Sequence, residues 1–140
     1  MIKILTQSCI NCTYITLNSL PFIIQRVSKT FLDAECMYFN GYMLGLSGTS
    51  TVASISSEKQ IPVVAFCESY KFSKKAMLDS IYKDEVETHE EIIRGIKIKR
   101  ERHVFDITSA KFINMVSSEE GNISAVSVPI VIRELEKYNE

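Results

Sequence analysis

The sequence has little net charge, no long apolar segment and no recognisable export signal. Its 140 residues carry 16 Lys and Arg against 17 Asp and Glu, a net charge of -1. This balance argues against binding to nucleic acid or to an anionic membrane through bulk charge. The longest apolar run covers only residues 61–67, whereas a membrane-spanning helix needs about 20 residues. Because the N-terminus also lacks a basic and then apolar pattern, we expect a soluble, intracellular, cytoplasmic protein.

Cysteine is too sparse for a disulfide scaffold, with 4 in the chain. Cys9 and Cys12 form one C-x2-C pair, but a structural zinc site needs four ligands and no second pair follows. The simpler interpretation places both at the start of a buried strand. Cys36 and Cys67 lie in apolar runs, where burial raises the pKa of a thiol and makes it unreactive. We therefore expect no metal site and no cofactor.

Apolar residues make up 46% of the chain and charged residues 24%, which fits one packed domain over residues 1–140. The apolar pattern alternates between strand and helix. The continuous apolar character of residues 61–67 is typical of a central strand in a parallel sheet with helices on both faces. The remaining elements of the first half are a strand over 12–17, a helix over 20–31, a strand over 34–39 and a helix over 50–59.

The second half begins with segregated charge, acidic over residues 84–91 and basic over 94–102. Such runs are typical of exposed helix and loop, and a docking surface for a charged partner is the alternative. Beyond them we predict a strand over 104–108, a helix over 109–116, a break at Gly121 and a final apolar segment over 125–135. Strands and helices in this order predict an α/β layered fold.

Gly41, Gly45 and Gly48 are predicted to lie between a strand and a helix. Backbone N–H groups and the helix dipole at such a place can hold an anion such as phosphate. The spacing G-x3-G-x2-G matches neither the dinucleotide fingerprint nor the phosphate loop with its lysine. The glycines therefore allow a phosphate site, and they equally allow a tight turn with close helix packing.

No set of side chains for acid-base or nucleophilic catalysis is evident. Such chemistry needs a nucleophile, a proton carrier and an orienting group that converge at the strand ends. Cys67 and Glu68 end the central strand at the edge where parallel sheets bind ligands. A buried thiol beside an exposed carboxylate is the simpler interpretation, and Asp33 and Glu35 are expected to face solvent.

A family resemblance is carried by blocks at residues 17–21, 40–49, 61–72, 105–108 and 127–133. They resemble, in the same order, the regulatory subunits (alpha, beta and delta) of eukaryotic translation initiation factor two B, a guanine-nucleotide exchange factor. Residues 67–72 and the last block favour the delta type. The resemblance implies a Rossmann-like three-layer α/β domain with a mostly parallel sheet, and it implies that the N-terminal helical domain and the first part of the α/β domain are absent.

The same superfamily contains sugar-phosphate isomerases similar to methylthioribose-1-phosphate isomerase. Their motif reads asparagine-glycine-aspartate with a catalytic aspartate, and Tyr42 stands at that position here. A phenol with an ordinary pKa of about 10 cannot replace a carboxylate that carries protons near neutral pH. The catalytic cysteine of the isomerases lies in the portion that is absent. The resemblance thus implies no enzyme, with a vestigial sugar-phosphate or nucleotide-phosphate site as an option at Asn40, Gly41, Gly48 and Thr49.

The expected function is that of a non-catalytic regulatory subunit that assembles with other subunits and senses phosphorylated initiation factor two. The implied partners are the other subunits of the exchange factor, a beta-type subunit first, and initiation factor two, without direct contact to nucleic acid or membrane. Apolar residues near the C-terminus predict a subunit interface and a dimer or higher oligomer; they are Val126, Val128, Ile130 and Ile132. The alternative function is aldose–ketose isomerisation by a relative of the sugar-phosphate isomerases.

Overall fold

The computed structural model describes residues 2–77 and 86–138. The helices are α1 Ile2–Gln7, α2 Leu20–Ile23, α3 Thr49–Glu58 and α4 Val128–Tyr138. The strands are β1 Thr30–Asp33, β2 Cys36–Tyr38, β3 Met43–Leu46, β4 Val63–Phe66, β5 Phe72–Ser73, β6 Val86–Ile93, β7 Ile96–His103, β8 Phe105–Thr108, β9 Met115–Ser118 and β10 Gly121–Ile123. None of the helices in the described ranges has the length and apolar character needed to cross a membrane.

The main sheet has the strand order β1-β4-β9-β10. The first three strands are parallel, and β10 runs antiparallel to β9. Strand β4 lies in the centre, and its residues Val63, Val64 and Ala65 are buried. This burial accounts for the unbroken apolar character of the segment, because a central strand has side chains covered on both faces. The predicted mixed α/β class with a largely parallel sheet is confirmed.

A second four-stranded sheet, β5-β2-β3-β8, packs beside the first. Its strands β2, β3 and β8 are antiparallel neighbours. The turn between β2 and β3 contains Gly41, whose φ is 78°. A side-chain carbon at this position would lie 2.5 Å from the carbonyl oxygen of Ala125. Glycine is therefore required here both by the backbone angle and by the close approach of a neighbouring chain segment.

The core lies on one face of the main sheet. Leu32 of β1, Val63 of β4 and Val116 of β9 meet side chains from both helices and from the second sheet; these are Met37, Met43, Ala53, Val128 and Ile132. The opposite face of the main sheet is open at Phe31 and Phe66, which are 63% and 45% exposed. Their rings contact edge to face, with 5.5 Å between centroids.

Three predicted elements near the sheet are wrong. Residues 12–17 are exposed and do not form a strand, because no neighbouring strand is available to pair with them. The helix predicted over 20–31 ends early, in α2 and a 3-10 turn at Ile24–Arg26, and β1 begins at Thr30. The helix predicted over 109–116 is a 3-10 turn at Ala110–Phe112 followed by β9. In the last two cases pairing with β4 overrides the local helical spacing.

The charged region is a β-hairpin, not helix and loop, where the structure describes it. Strands β6 and β7 pair in full register around Arg94 and Gly95, whose φ angles are 51° and 80°. Two positive φ values in a two-residue turn are typical of a hairpin, and the Arg-Gly pair was not recognised as this signal. The predicted exposure of the charges is confirmed for both strands. Asp84 and Glu85, which open the predicted acidic run, lie outside the described residues.

A buried hydroxyl pair joins β1 to α3 and gives a test of the fold. The Thr30 and Ser56 hydroxyl oxygens lie 2.8 Å apart, and both residues are buried. We expect Ser56→Ala to lower the free energy of unfolding by about 1–2 kcal/mol, because it leaves a buried hydroxyl without its partner. The double variant Thr30→Val/Ser56→Ala should cost less than the two single changes added together. Urea denaturation of the four proteins measures this coupling, and strict additivity would contradict it.

Candidate functional site

The N-terminus of α3 is capped by a carboxylate from another part of the chain. Gly48 precedes the helix with a φ of 103° and has no side chain to cap it. Asp106, on β8, accepts a hydrogen bond from the Gly48 backbone N–H at 2.7 Å and another from the Ser50 N–H at 3.1 Å. The Thr49 hydroxyl donates to the Leu46 carbonyl at 2.5 Å. The free N–H groups and the positive end of the helix dipole therefore already face an anion.

Burial and hydrogen bonding act in opposite directions on the Asp106 carboxyl. Burial raises its pKa above the ordinary value, and the N–H donors of Gly48 and Ser50 oppose that rise. The ionised form of the side chain is the one that suits a helix N-terminus. A phosphate at this helix would have to displace a carboxylate that the chain supplies itself.

The predicted phosphate-binding residues lie in two separate groups. Asn40 and Gly41 precede β3, whereas Gly48 and Thr49 follow it, with about 13 Å of strand between them. The Asn40 side chain accepts a hydrogen bond from the Met77 N–H at 3.2 Å and donates one to the Met77 carbonyl. The prediction that all three glycines lie between a strand and a helix is wrong, because Gly41 is in the β2–β3 turn and Gly45 is within β3.

A pocket of about 310 Å³ lies at the carboxyl edge of the main sheet. The ends of β1, β4 and β9 bring together Asp33, Cys67, Glu68, Ser117 and Glu119. This is the edge at which parallel sheets bind ligands. The sequence placed Asp33, Cys67 and Glu68 near such an edge, but Glu119 was not identified because its predicted element was a helix followed by a break.

The polar groups of this pocket are satisfied by one another. The Glu119 carboxylate accepts a hydrogen bond from the Ser69 hydroxyl at 2.5 Å and from the Ser69 N–H at 2.9 Å, and these bonds lower its pKa. The Lys71 ammonium lies 3.0 Å from the Glu68 carboxylate; their hydrogen bond lowers the pKa of Glu68 and raises that of Lys71. No Lys or Arg lines the pocket within the described residues. Its lining is acidic and repels a phosphate dianion.

Cys67 is the one side chain at this edge that could serve as a nucleophile. It is only 2% exposed, and burial, helped by the nearby Cys36 thiol, raises its pKa to about 12. The neutral thiol is not nucleophilic, so the predicted inert role fits. Burial also raises the pKa of Cys36. Cys9 and Cys12, by contrast, are exposed and do not begin a buried strand, which corrects that prediction.

Tyr42 occupies a place where it does no proton chemistry. It packs against an apolar cluster made by Tyr38, Leu44 and Ile107. Its backbone carbonyl accepts a hydrogen bond from the Tyr38 N–H at 2.8 Å, which closes the turn around Gly41. Throughout the described ranges, no group of three or more His, Cys, Asp or Glu side chains is placed to hold a metal ion.

The residues predicted for a subunit interface divide into two pairs. Val128 is fully buried and Ile132 is 6% exposed, so both belong to the core of this chain. Val126 is 74% exposed and Ile130 is 56% exposed. They are four residues apart at the start of α4, which places them on one side of it. Only the exposed pair is available to a partner in this fold.

Asp106 is the residue of this site that sequence reasoning missed. It lies in a block that carries the family resemblance, but no role was assigned to it. The usable signal is indirect: α3 begins after a glycine, which cannot cap it with a side chain, so an acceptor from elsewhere is needed.

The capping interaction predicts a loss of stability when Asp106 is removed. We expect Asp106→Ala to lower the free energy of unfolding by about 1–2 kcal/mol, since two backbone N–H groups lose their acceptor. Glu35→Ala, a change at an exposed acid of the second sheet, serves as the control and should have little effect. Urea denaturation followed by circular dichroism measures both, and equal stability of the two variants would contradict the role of Asp106.

The raised pKa of Cys67 predicts selective thiol chemistry. At pH 8 we expect a disulfide reagent to modify Cys9 and Cys12 quickly and Cys67 only after unfolding, because Cys67 is buried and its pKa is about 12. The unfolded chain loses this proton at a lower pH than the folded chain, so alkaline pH above about 9 favours unfolding. Mass spectrometry of the labelled peptides measures the order of reaction. Native Cys67 reacting as fast as Cys9 would disprove this interpretation.

Comparison with known proteins adds to this geometry. The delta subunit of translation initiation factor eIF2B from Schizosaccharomyces pombe is 30% identical to the chain, and the match covers 97% of this chain and 33% of that protein. Ribose 1,5-bisphosphate isomerase from Methanocaldococcus jannaschii is 29% identical, with 97% of this chain and 44% of the isomerase covered. The chain thus spans less than half the length of these relatives.

The fold is shared with a solved assembly. A chain of the tetrameric eIF2B-beta2-delta2 complex from Chaetomium thermophilum matches with a TM-score of 0.74 at 23% identity, over 94% of this chain and 39% of that one. Residues 1–125 match the family described as the initiation factor 2 subunit family. Since this match covers most of its length, the chain belongs to the initiation factor 2 subunit family.

Proposed function

We propose that this chain is a non-catalytic, delta-type regulatory part of the eIF2B exchange factor that works by binding to other subunits. The observation that carries the proposal is the state of the sheet edge, where a reaction would be expected. Its carboxylates, Asp33, Glu68 and Glu119, surround a neutral thiol, and the neighbouring Lys71 is paired with Glu68. This arrangement neither attracts a sugar phosphate nor offers a free proton carrier for it.

Isomerisation of a sugar phosphate is the second candidate, favoured by the 29% identity to ribose 1,5-bisphosphate isomerase. That reaction moves a proton between neighbouring carbons and needs an acid-base group in contact with the substrate. Cys67 keeps its proton to about pH 12, and Tyr42 lies in an apolar cluster. Asp106 is already hydrogen-bonded to two backbone N–H groups. These three groups support a binding role over an isomerase.

Subunit assembly is supported by an exposed apolar pair and by the relatives. Val126 and Ile130 leave aliphatic side chains in solvent beside a core that is otherwise closed by Val128 and Ile132. Apolar residues of this kind are typical of the centre of a subunit interface. The beta2-delta2 complex identifies a beta-type subunit as the first partner to test. The finer role, sensing of phosphorylated initiation factor two, remains a prediction from the resemblance.

Binding to a beta-type subunit tests the proposal. We expect the chain to coelute from size exclusion with the beta-type subunit of the organism that encodes it. Val126→Glu/Ile130→Glu should weaken binding at least about tenfold, because it places charge in an apolar contact. Phe22→Glu is the control, since Phe22 is 84% exposed but lies on α2. No binding, or equal loss for both variants, would overturn the proposed interface.

An activity assay separates the two candidate functions. The chain is incubated with ribose 1,5-bisphosphate, and formation of the ketose is followed by proton NMR. We expect no turnover above the rate without protein. Turnover that Cys67→Ala or Tyr42→Phe abolishes would contradict the non-catalytic assignment and establish the isomerase alternative.

A further inference from the structure

Strand β1 is an edge strand of the main sheet, and its outer edge is open. Within the described part of the chain, β1 pairs with β4 on one side and with no strand on the other. The Thr30 N–H bonds to the Pro62 carbonyl and the Ala34 N–H to the Phe66 carbonyl. Backbone groups alternate in direction along a strand, so those of Phe31 and Asp33 point away from β4. They are the groups that another strand would find.

The side chains along this edge form a short self-complementary row. Lys29, Phe31 and Asp33 alternate with residues that face the core, and all three are exposed. A positive charge therefore lies at one end, a negative charge at the other and an aromatic ring between them. The row has the same composition when it is read backwards with the charges exchanged, which is the condition for pairing with a copy of itself.

We propose that a second copy of this chain adds to the main sheet by antiparallel pairing of β1 with β1 about a two-fold axis at Phe31. In this register the two Phe31 residues are opposite each other and exchange backbone hydrogen bonds through their outward groups. Lys29 then lies opposite Asp33 of the partner subunit, and the same contact repeats across the axis. The proposal requires no beta-type subunit, so it stands apart from the proposed function.

The charges of the other long exposed strands disfavour the same arrangement there. Strand β7 carries four basic residues and one acidic residue, Glu101, and β6 carries acidic residues at 87, 90 and 91. Antiparallel pairing of either strand with its own copy sets like charges against each other, which is destabilising. Among these three exposed strands, β1 alone has charges of opposite sign at its two ends. Because β1 is only four residues long, we expect a dimer of micromolar affinity.

Charge reversal tests the register directly. Sedimentation equilibrium of the wild-type chain should give a monomer–dimer association. Lys29→Asp and Asp33→Lys should each weaken it by about tenfold or more, since each change creates two like-charge contacts across the axis. The double variant Lys29→Asp/Asp33→Lys should restore dimerisation. A mixture of the two single variants should form a heterodimer more readily than either forms a homodimer.

Matched controls separate pairing from a general effect of charge. Lys97→Asp and Glu90→Lys make the same changes in net charge on the exposed hairpin and should leave dimerisation unaltered. Circular dichroism checks that each variant is folded. A wild-type chain that stays monomeric at hundreds of micromolar would overturn the proposal. So would a dimer that ignores both single reversals, or a mixture that fails to associate.

Discussion

The carboxylate of Asp106 at the start of α3 is the interaction on which the rest of the structure depends. Asp106 belongs to the second sheet through β8, and the helix that it caps lies on the main sheet, where Ser56 bonds to Thr30. A single side chain thus connects the two sheets through the helix between them. The core residues from both sheets, such as Met43 and Val63, meet in the space that this connection defines.

The same interaction decides what the helix terminus can do. A helix N-terminus preceded by glycine is a common place for a phosphate, because its N–H groups and dipole favour negative charge. Here the negative charge is covalently part of the chain and is bound by Gly48 and Ser50. The site's chemistry is used for folding, which leaves less for a ligand. At the neighbouring sheet edge, Glu68 and Glu119 likewise use their charge on Lys71 and Ser69.

The sequence predicts the elements whose burial is visible in their composition. Strand β4 is apolar throughout because both of its faces are covered, and α3 has helix-compatible residues between turn signals. Strands β1 and β9 were not identified as such because their structure depends on pairing with β4, which local spacing does not contain. The same limit applies to the site. Asp106 and Gly48 are 58 residues apart, and their contact follows only from the order of the strands.

Distance along the chain also explains why the phosphate residues were grouped and the interface residues were mixed. Asn40 and Thr49 are near in sequence, but β3 holds them at opposite ends of an extended segment. Val126 and Val128 are adjacent in an apolar run, but the helical path turns one outward and the other into the core. A run of similar residues therefore contains two functions. The inward residues hold α4 against the sheet, and that anchorage is what makes the outward residues a rigid surface on which a second subunit can bind.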